Sequence, residues 1–310
     1  MKKSIEVFAP ATVANVGCGF DIFGFAVDRP GDRVRVTLTD TAKIEIRKIT
    51  GDGGQLPREV DRNTAGVAIL NYLEKVDYSG GLEIELIKGL PLGSGMGSSA
   101  ASAVAAVVAV NTLLDSPLDR EDLLPFVMAA EKTACGTAHA DNAAPALLGG
   151  FFLIRSYQPL DIVRLPVPDW LYCVLIHPNI EIRTAEARAI LPEKVPLSSA
   201  ISQWGNTAAL AAALYRDDPE LLGRALQDAI VEPVRSRLIP HFEQAQSAAL
   251  TAGALGCSIS GSGPSLFALC RDQNTADEVA EIVKNVYIKN RIRCESYVSQ
   301  INREGPRILG

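Results

Sequence analysis

The sequence predicts an α+β fold. Three observations carry that expectation: strands of period two in the first half, a glycine-rich turn opening a long helix of small residues, and a second half in which helical runs separate apolar strands. The strands pair locally and are not spaced throughout by crossover helices. At 310 residues the chain is long enough for about two domains, and it can bury a full core without metal or disulfide staples.

In chain order, Arg33-Val34-Arg35-Val36-Thr37-Leu38-Thr39 and Lys43-Ile44-Glu45-Ile46-Arg47 alternate and read as strands with one wet face. Asp52 to Pro57 is a loop. Thr64 to Val76 is a helix, with Ala68, Leu70 and Leu73 as core positions, and Leu82 to Leu86 is a strand. Between Lys88 and Asp115 no residue is charged. Only Ala100 to Leu114 is apolar, however, and Ser102, Asn111 and Thr112 interrupt it, so a buried helix is expected rather than a span of about 20 apolar residues. A helix follows over Asp119 to Thr133, then a turn at Gly149-Gly150 into a strand. Pro159, Pro166 and Pro168 mark a boundary near 155–170, which divides the chain into 1–160 and 161–310. Beyond it come a buried strand at 171–176, helices near 184–190, 198–215, 218–231 and 240–252, and strands on either side of Gly261-Ser262-Gly263-Pro264. A helix from Thr275 to Lys289 and a strand near 292–298 close the order. There is no internal repeat and no low-complexity tract.

Composition excludes several classes of function. The net charge is −6, with no basic patch of the kind that tracks phosphate backbones, so no nucleic-acid partner is expected. The six cysteines at 18, 135, 173, 257, 270 and 294 form no CxxC pair, and histidine is scarce. They read as small buried hydrophobes in a reducing compartment. The first residues reach Glu6 without an apolar stretch, so no signal peptide is expected. Together these predict a cytoplasmic protein with no membrane segment.

The turn Pro91-Leu92-Gly93-Ser94-Gly95-Met96-Gly97-Ser98-Ser99-Ala100 joins a strand to a helix. Its glycines let the backbone come close to an anion. The helix start beyond it offers free N–H groups and the positive end of a dipole. The hydroxyls of Ser98 and Ser99 suit a phosphate oxygen or Mg²⁺. A Walker A loop is excluded because no lysine follows Gly97, and the dinucleotide motif is excluded because Ser98 stands where its third glycine would be.

That loop resembles the phosphate loop of the GHMP kinases, which phosphorylate small alcohols. Ala9-Pro10-Ala11-Thr12-Val13-Ala14-Asn15-Val16-Gly17-Cys18-Gly19-Phe20-Asp21 is similar to the family's N-terminal motif. Gly256-Cys257-Ser258-Ile259-Ser260-Gly261-Ser262-Gly263-Pro264-Ser265 is similar to its C-terminal glycine motif. Glu131 to Pro145, Thr184 to Pro192 and Glu232 to Pro240 resemble the branch of the family that acts on L-homoserine in threonine biosynthesis. Cys18 and Met96 are small departures.

The resemblance implies two domains: a left-handed, strand-rich nucleotide domain over 1–160, and a ferredoxin-like domain over 161–310 that completes the substrate site. It implies ATP over Pro91, Leu92, Gly93, Ser94, Gly95, Met96, Gly97, Ser98, Ser99, Ala100 and Ala101, with Asn63 facing the adenine and Ser262 and Gly263 flooring the phosphates. Mg²⁺ would be held by Ser98 and Glu131. Asp141 aligns with the aspartate that relatives use to take the alcohol proton, and Lys88 and Thr184 are further candidates for phosphate contact. Asn15, Asp21, His139, Arg188 and Arg235 fall to the amino-acid site. The chemistry is consistent: a carboxylate wants a guanidinium fork, and an ammonium wants a carboxylate or an amide. Arg183 stands nearby, but the family pattern does not support it. Relatives are often homodimers. The competing readings are another small-alcohol kinase of the family, a non-catalytic metabolite sensor on the same fold, and an interaction protein without a ligand.

Overall fold

The computed structural model describes residues 3–136 and 138–309, without the side chains of Ala134 and Cys135. Thr137, quoted in the middle motif, and Met1, Lys2 and the Cys135 side chain therefore lie outside the described residues.

The chain opens with two long antiparallel strands, β1 (Ser4–Ala14) and β2 (Phe23–Thr39). In β2 the expected alternation appears: Val34 and Val36 are buried, while Arg33 and Arg35 face solvent and pair with Glu6 of β1. Next come β3 (Ile44–Thr50), α1 (Thr64–Lys75) and β4 (Gly81–Ile87). The connection through α1 makes β3 and β4 parallel. α2 (Ser98–Leu113) is apolar on every side and buried along nearly its whole length, as a helix without a polar face must be. α3 (Leu124–Cys135), α4 (Ala140–Leu148), β5 (Phe151–Tyr157) and β6 (Leu160–Leu165) complete the first half.

The larger sheet has the order β11-β1-β2-β4-β3, where β11 is the short C-terminal strand Arg307–Ile308, with β5 also on β2 and β6 on β5. The single long β2 serves both branches: Phe23–Phe25 pair with β5 and Arg33–Thr39 with β4. Residue 160 lies at the tip of the β5–β6 hairpin, so the first sheet runs on to Leu165.

The second half contains β7 (Tyr172–Pro178), α5 (Thr184–Ala189), α6 (Leu197–Arg216), α7 (Pro219–Ala225), α8 (Glu232–Arg235), α9 (Phe242–Thr251), β8 (Gly256–Ile259), β9 (Leu266–Cys270), α10 (Gln273–Lys289) and β10 (Cys294–Gln300), then β11 (Arg307–Ile308) on the first sheet. Its antiparallel sheet runs β10-β7-β9-β8. Counted along this half, that is strand order 4-1-3-2, the ferredoxin-like arrangement.

Two helices differ from the sequence expectation, and some elements were not expected at all. The helix expected over 218–231 stops at Ala225, because the Asp228 carboxylate accepts the backbone N–H groups of Ile230, Val231 and Glu232, each at 2.9 Å, and turns the chain. The helix expected from Asp119 starts as a tight 3₁₀ turn at Glu121–Leu123, and α3 begins only where Pro125 occupies its first turn. β1, β6, β11, α4 and α8 (Glu232–Arg235) were not anticipated.

Candidate active site

Three glycine-bearing segments meet at the N-terminus of α2. Thr12 N–H donates to the Met96 carbonyl (3.1 Å), Gly261 N–H to Ala14 (3.1 Å) and Ser265 N–H to Ser94 (3.2 Å). The Ser260 hydroxyl, wholly buried, donates to the Gly95 carbonyl at 2.8 Å. Two glycines of the loop are obligatory. A Cβ on Gly95 (φ +76°) would lie 2.4 Å from the Ser260 carbonyl oxygen, and one on Gly97 (φ +69°) 2.0 Å from Thr12 Oγ1. That Thr12 hydroxyl donates to Asn142 Oδ1 (2.7 Å), which ties β1 to the start of α4. The ladder of α2 begins with Ala101 N–H on the Gly97 carbonyl, so the positive end of the helix opens onto the loop.

A cavity of about 280 Å³ lies over this junction. It gathers Asn15, Asp21, Asn63, Lys88, Leu92, Gly93, Ser94, Gly95, Gly97, Ser98, Ser99, Glu131, His139, Asp141, Thr184, Arg188, Arg235 and Ser262 into one wall. Residues far apart in sequence thus meet at one cavity. Pro91, Met96, Ala100, Ala101 and Gly263 do not line it. The Met96, Ala100 and Ala101 side chains are fully buried behind the loop, and Gly263 packs toward Ile239 and Ile259. Arg183 is also outside the lining and precedes the first turn of α5.

At one end of the cavity Asp21 and Arg188 form a bidentate pair (2.8 and 2.9 Å). Arg188 also reaches His139 Nε2 at 3.3 Å, and the other ring nitrogen lies 4.0 Å from Glu131 Oε2. Burial lowers the His139 pKa and so favours the neutral imidazole. Arg235 is 3% exposed and donates to the carbonyls of Ala187 (3.0 Å) and Gly261 (3.1 Å). Among the described residues it has no ion pair, and burial lowers its pKa to about 10. Both guanidinium groups stand over Phe20, at 5.2 and 4.9 Å from the ring centre.

Two buried carboxyls face the middle of the cavity. Burial, helped by the nearby Asp21 charge, pushes Asp141 up to about 8. Burial pushes Glu131 up to about 7 against the lowering pull of the Ser99 hydroxyl and Lys88. Glu131 Oε1, Asp141 Oδ1 and the Ser94 hydroxyl are buried without a hydrogen-bond partner among the described residues. Orphaned oxygens with an ionisable carboxylate among them suit a hard divalent cation that completes its shell with phosphate and water.

Three of the expected contact residues are engaged within the fold. Lys88 carries no free donor to a phosphate: its ammonium holds Asp32, the Ser98 carbonyl (3.1 Å) and the Ser102 hydroxyl (2.6 Å). Asn15 uses its carboxamide as a clamp, donating to the Gly261 carbonyl (2.8 Å) and accepting Asp21 N–H (3.0 Å). Asn63 caps α1 by accepting Ala65 N–H (3.1 Å) and donates one amide N–H to the Pro57 carbonyl (2.9 Å) at the cavity wall. Thr184 Oγ1 lies 3.5 Å from the Ser262 hydroxyl at the cavity edge. Asp32 was not anticipated at all. It stands alone in Pro30-Gly31-Asp32-Arg33, where no motif marks it. Phe20, Asn142 and Gly261 sit inside quoted motifs, but their contacts exist only in the folded chain.

Residues 63–150 match the family profile described as GHMP kinases N terminal domain, and residues 210–289 match GHMP kinases C terminal. The chain is 50% identical to a homoserine kinase of Chloroherpeton thalassium over 99% of its own length and 100% of that protein's. It is 40% identical to a homoserine kinase of Xylella fastidiosa, covering 98% and 94% of the two chains. The crystal structure of a homoserine kinase from Cytophaga hutchinsonii superposes with a TM-score of 0.98 at 55% identity, covering 100% of this chain and 98% of that one. The crystal structure of the L. major mevalonate kinase (TM-score 0.74, 18% identity, 95% of each chain) shares the architecture alone. With profiles in both halves and relatives matched end to end, the chain belongs to the GHMP kinase family.

Proposed function

We propose that the chain transfers the γ-phosphoryl group of ATP to the side-chain hydroxyl of L-homoserine, giving O-phospho-L-homoserine and ADP in threonine biosynthesis. The observation that carries this reading is the full-length similarity to homoserine kinases over a cavity whose two ends differ in chemistry. One end is a glycine loop at a helix N-terminus; the other is an Asp21, Arg188 and Arg235 cluster fit for a zwitterion.

In this reading ATP lays its phosphates along Gly93–Ser99, against the backbone and the α2 dipole. Arg235, which has no ion pair among the described residues, takes the substrate carboxylate together with Arg188, and Asp21 takes the ammonium. The substrate hydroxyl then faces the γ-phosphorus near Asp141. Its oxygen forms the new P–O bond as the bond to the β-phosphate oxygen breaks, and the proton passes to the Asp141 carboxylate. Catalysis is mainly positioning and charge neutralisation. Ser98 and Glu131 would hold Mg²⁺, which supplies neutralisation of the β- and γ-phosphate charge. With its pKa raised to about 8, Asp141 is a stronger base than an ordinary carboxylate but accepts the proton only in its ionised fraction, so turnover should rise with pH toward about 8.

Coupled ADP release tests the reaction, with L-homoserine, mevalonate, galactose and shikimate assayed side by side, with and without Mg²⁺. Turnover confined to L-homoserine and dependent on Mg²⁺ is expected; turnover only with an alcohol that is not an amino acid overturns the substrate. No described helix is long and apolar enough to cross a membrane. A cytoplasmic location belongs to the same proposal, supported by the buried, unpaired Cys18, Cys173, Cys257, Cys270 and Cys294. A homodimer does too, supported by the exposed row Leu197, Ile201, Trp204 and Tyr215 along α6; sedimentation as a monomer removes it.

A further inference from the structure

We infer that Asp32, a residue outside the cavity lining, is a positioning residue that fixes which way the Ser98 hydroxyl points. The inference rests on the reading of Ser98 as a magnesium ligand in the proposed reaction.

Asp32 is fully buried on β2. Its two oxygens divide the work. Oδ1 accepts the backbone N–H groups of Gly89 (2.9 Å) and Leu90 (3.0 Å), where the chain leaves β4 for the phosphate loop. Oδ2 accepts the Lys88 ammonium, the Ser98 hydroxyl (3.2 Å) and the Ser102 hydroxyl (3.0 Å), the latter two on the first turns of α2. Lys88 binds the carboxylate, the Ser98 carbonyl and Ser102, so its three protons are all engaged. The buried pair is thereby satisfied internally, as a buried ion pair must be.

The consequence falls on one proton. A serine hydroxyl has one O–H and two lone pairs. The Ser98 proton is directed into the protein at Asp32, while the residue itself lines the cavity. What its oxygen can show the cavity is therefore lone pairs. It can ligate a cation and cannot donate to a phosphate oxygen. Asp32 thus selects between the two roles that the sequence alone left open for this serine. It does so without touching nucleotide, metal or homoserine, as outer partners orient metal ligands elsewhere.

Asp32→Asn inverts this polarity. The two backbone N–H groups of Gly89 and Leu90 still need an acceptor, which pins the amide oxygen at the Oδ1 position. The amide NH₂ then takes the Oδ2 position and donates to the Ser98 oxygen, so the Ser98 proton turns toward the cavity and opposes a cation. Lys88→Met accompanies the change in a second variant, so that no unpaired ammonium stays buried.

The measurement is the ratio of ADP dissociation constants without and with Mg²⁺, read by calorimetry beside thermal unfolding. Wild type should show the larger ratio. It should fall by about tenfold or more in Asp32→Asn/Lys88→Met and in Ser98→Ala, and combining Ser98→Ala with the double change should lower it no further. A wild-type ratio in the double variant while Ser98→Ala loses it overturns the role of Asp32. A wild-type ratio in Ser98→Ala overturns Ser98 as a ligand, while Mg²⁺- and homoserine-dependent release of ADP from ATP shows whether the reaction itself still stands. Ser98→Cys keeps Asp32 in place and covers the case of Asp32 variants that do not fold. A sulfur lone pair turned to the cavity should move the preference from Mg²⁺ toward Cd²⁺, and an unmoved preference also overturns the inference.

Discussion

Arg235 is held by two backbone carbonyls and the Phe20 ring, with one guanidinium nitrogen not engaged in these contacts. A shorter-reaching ammonium cannot span both carbonyls and still present a donor. Arg235→Lys should therefore raise KM for homoserine by about 10–100-fold, the loss of a charge-assisted hydrogen bond. KM for ATP should stay within about twofold, because the nucleotide end of the cavity is untouched; steady-state kinetics with each substrate varied checks the split. At Asp141 one substitution isolates the role of the proton. Asp141→Asn keeps shape and removes basicity, so kcat should drop and the acid limb of its pH profile should vanish. Near-normal kcat with an unchanged profile excludes base catalysis there.

At the level of the element, the phosphate loop depends on residues that no side chain can replace. Gly97→Ala meets Thr12 at 2.0 Å in a left-handed conformation, which costs about 1–2 kcal/mol before any overlap is counted. A lowered Tm with weakened ADP binding is expected, by differential scanning fluorimetry and calorimetry. Such loops were readable from sequence because their chemistry is local: three glycines before a small-residue helix state a backbone need directly. Periodicity likewise exposed Val34 and Val36, which are buried as expected. What stayed hidden depended on distant partners. β11 is two residues long and exists only because Val7 and Phe8 offer it an edge. α4 carries Pro145 inside it and reads as broken. The helix near 218 ends early through Asp228, whose capping hydrogen bonds no window average captures. Asp32 and the clamping of Asn15 were invisible for the same reason: each matters through residues tens to hundreds of positions away.

Across the whole molecule the larger of two apolar cores reaches into both halves, while the second, around Val174, Ile176, Phe242 and Val283, belongs to the C-terminal half. Phe25 of the first sheet meets Phe267 of the second edge-on at 6.3 Å, and Cys173, Leu175 and Leu269 belong to the same cluster as β1 and α2. Unfolding should therefore be a single cooperative transition that MgADP raises; two separate calorimetric transitions would contradict it. The ligand-free protein should also lose stability as pH rises. Asp141, moved from its usual 3.8 to about 8, and Glu131, from 4.5 to about 7, hold protons in the fold that the unfolded chain releases. Their contribution is complete below about pH 4 and is lost progressively until about pH 8. Asp141→Asn, neutral throughout, should flatten Tm against pH over that window.

The bidentate pairing of Asp21 with Arg188 has a bearing on selectivity. An incoming molecule must pull apart opposite charges that already satisfy each other. A guest bearing only an anion, or only a cation, would strand one of them in a half-sheltered setting. A dipolar guest relieves both at once. On the proposed reading the chamber rehearses its visitor with its own side chains, and an uncharged sugar or a lone hydroxy acid should be turned away by the very bond it would have to break.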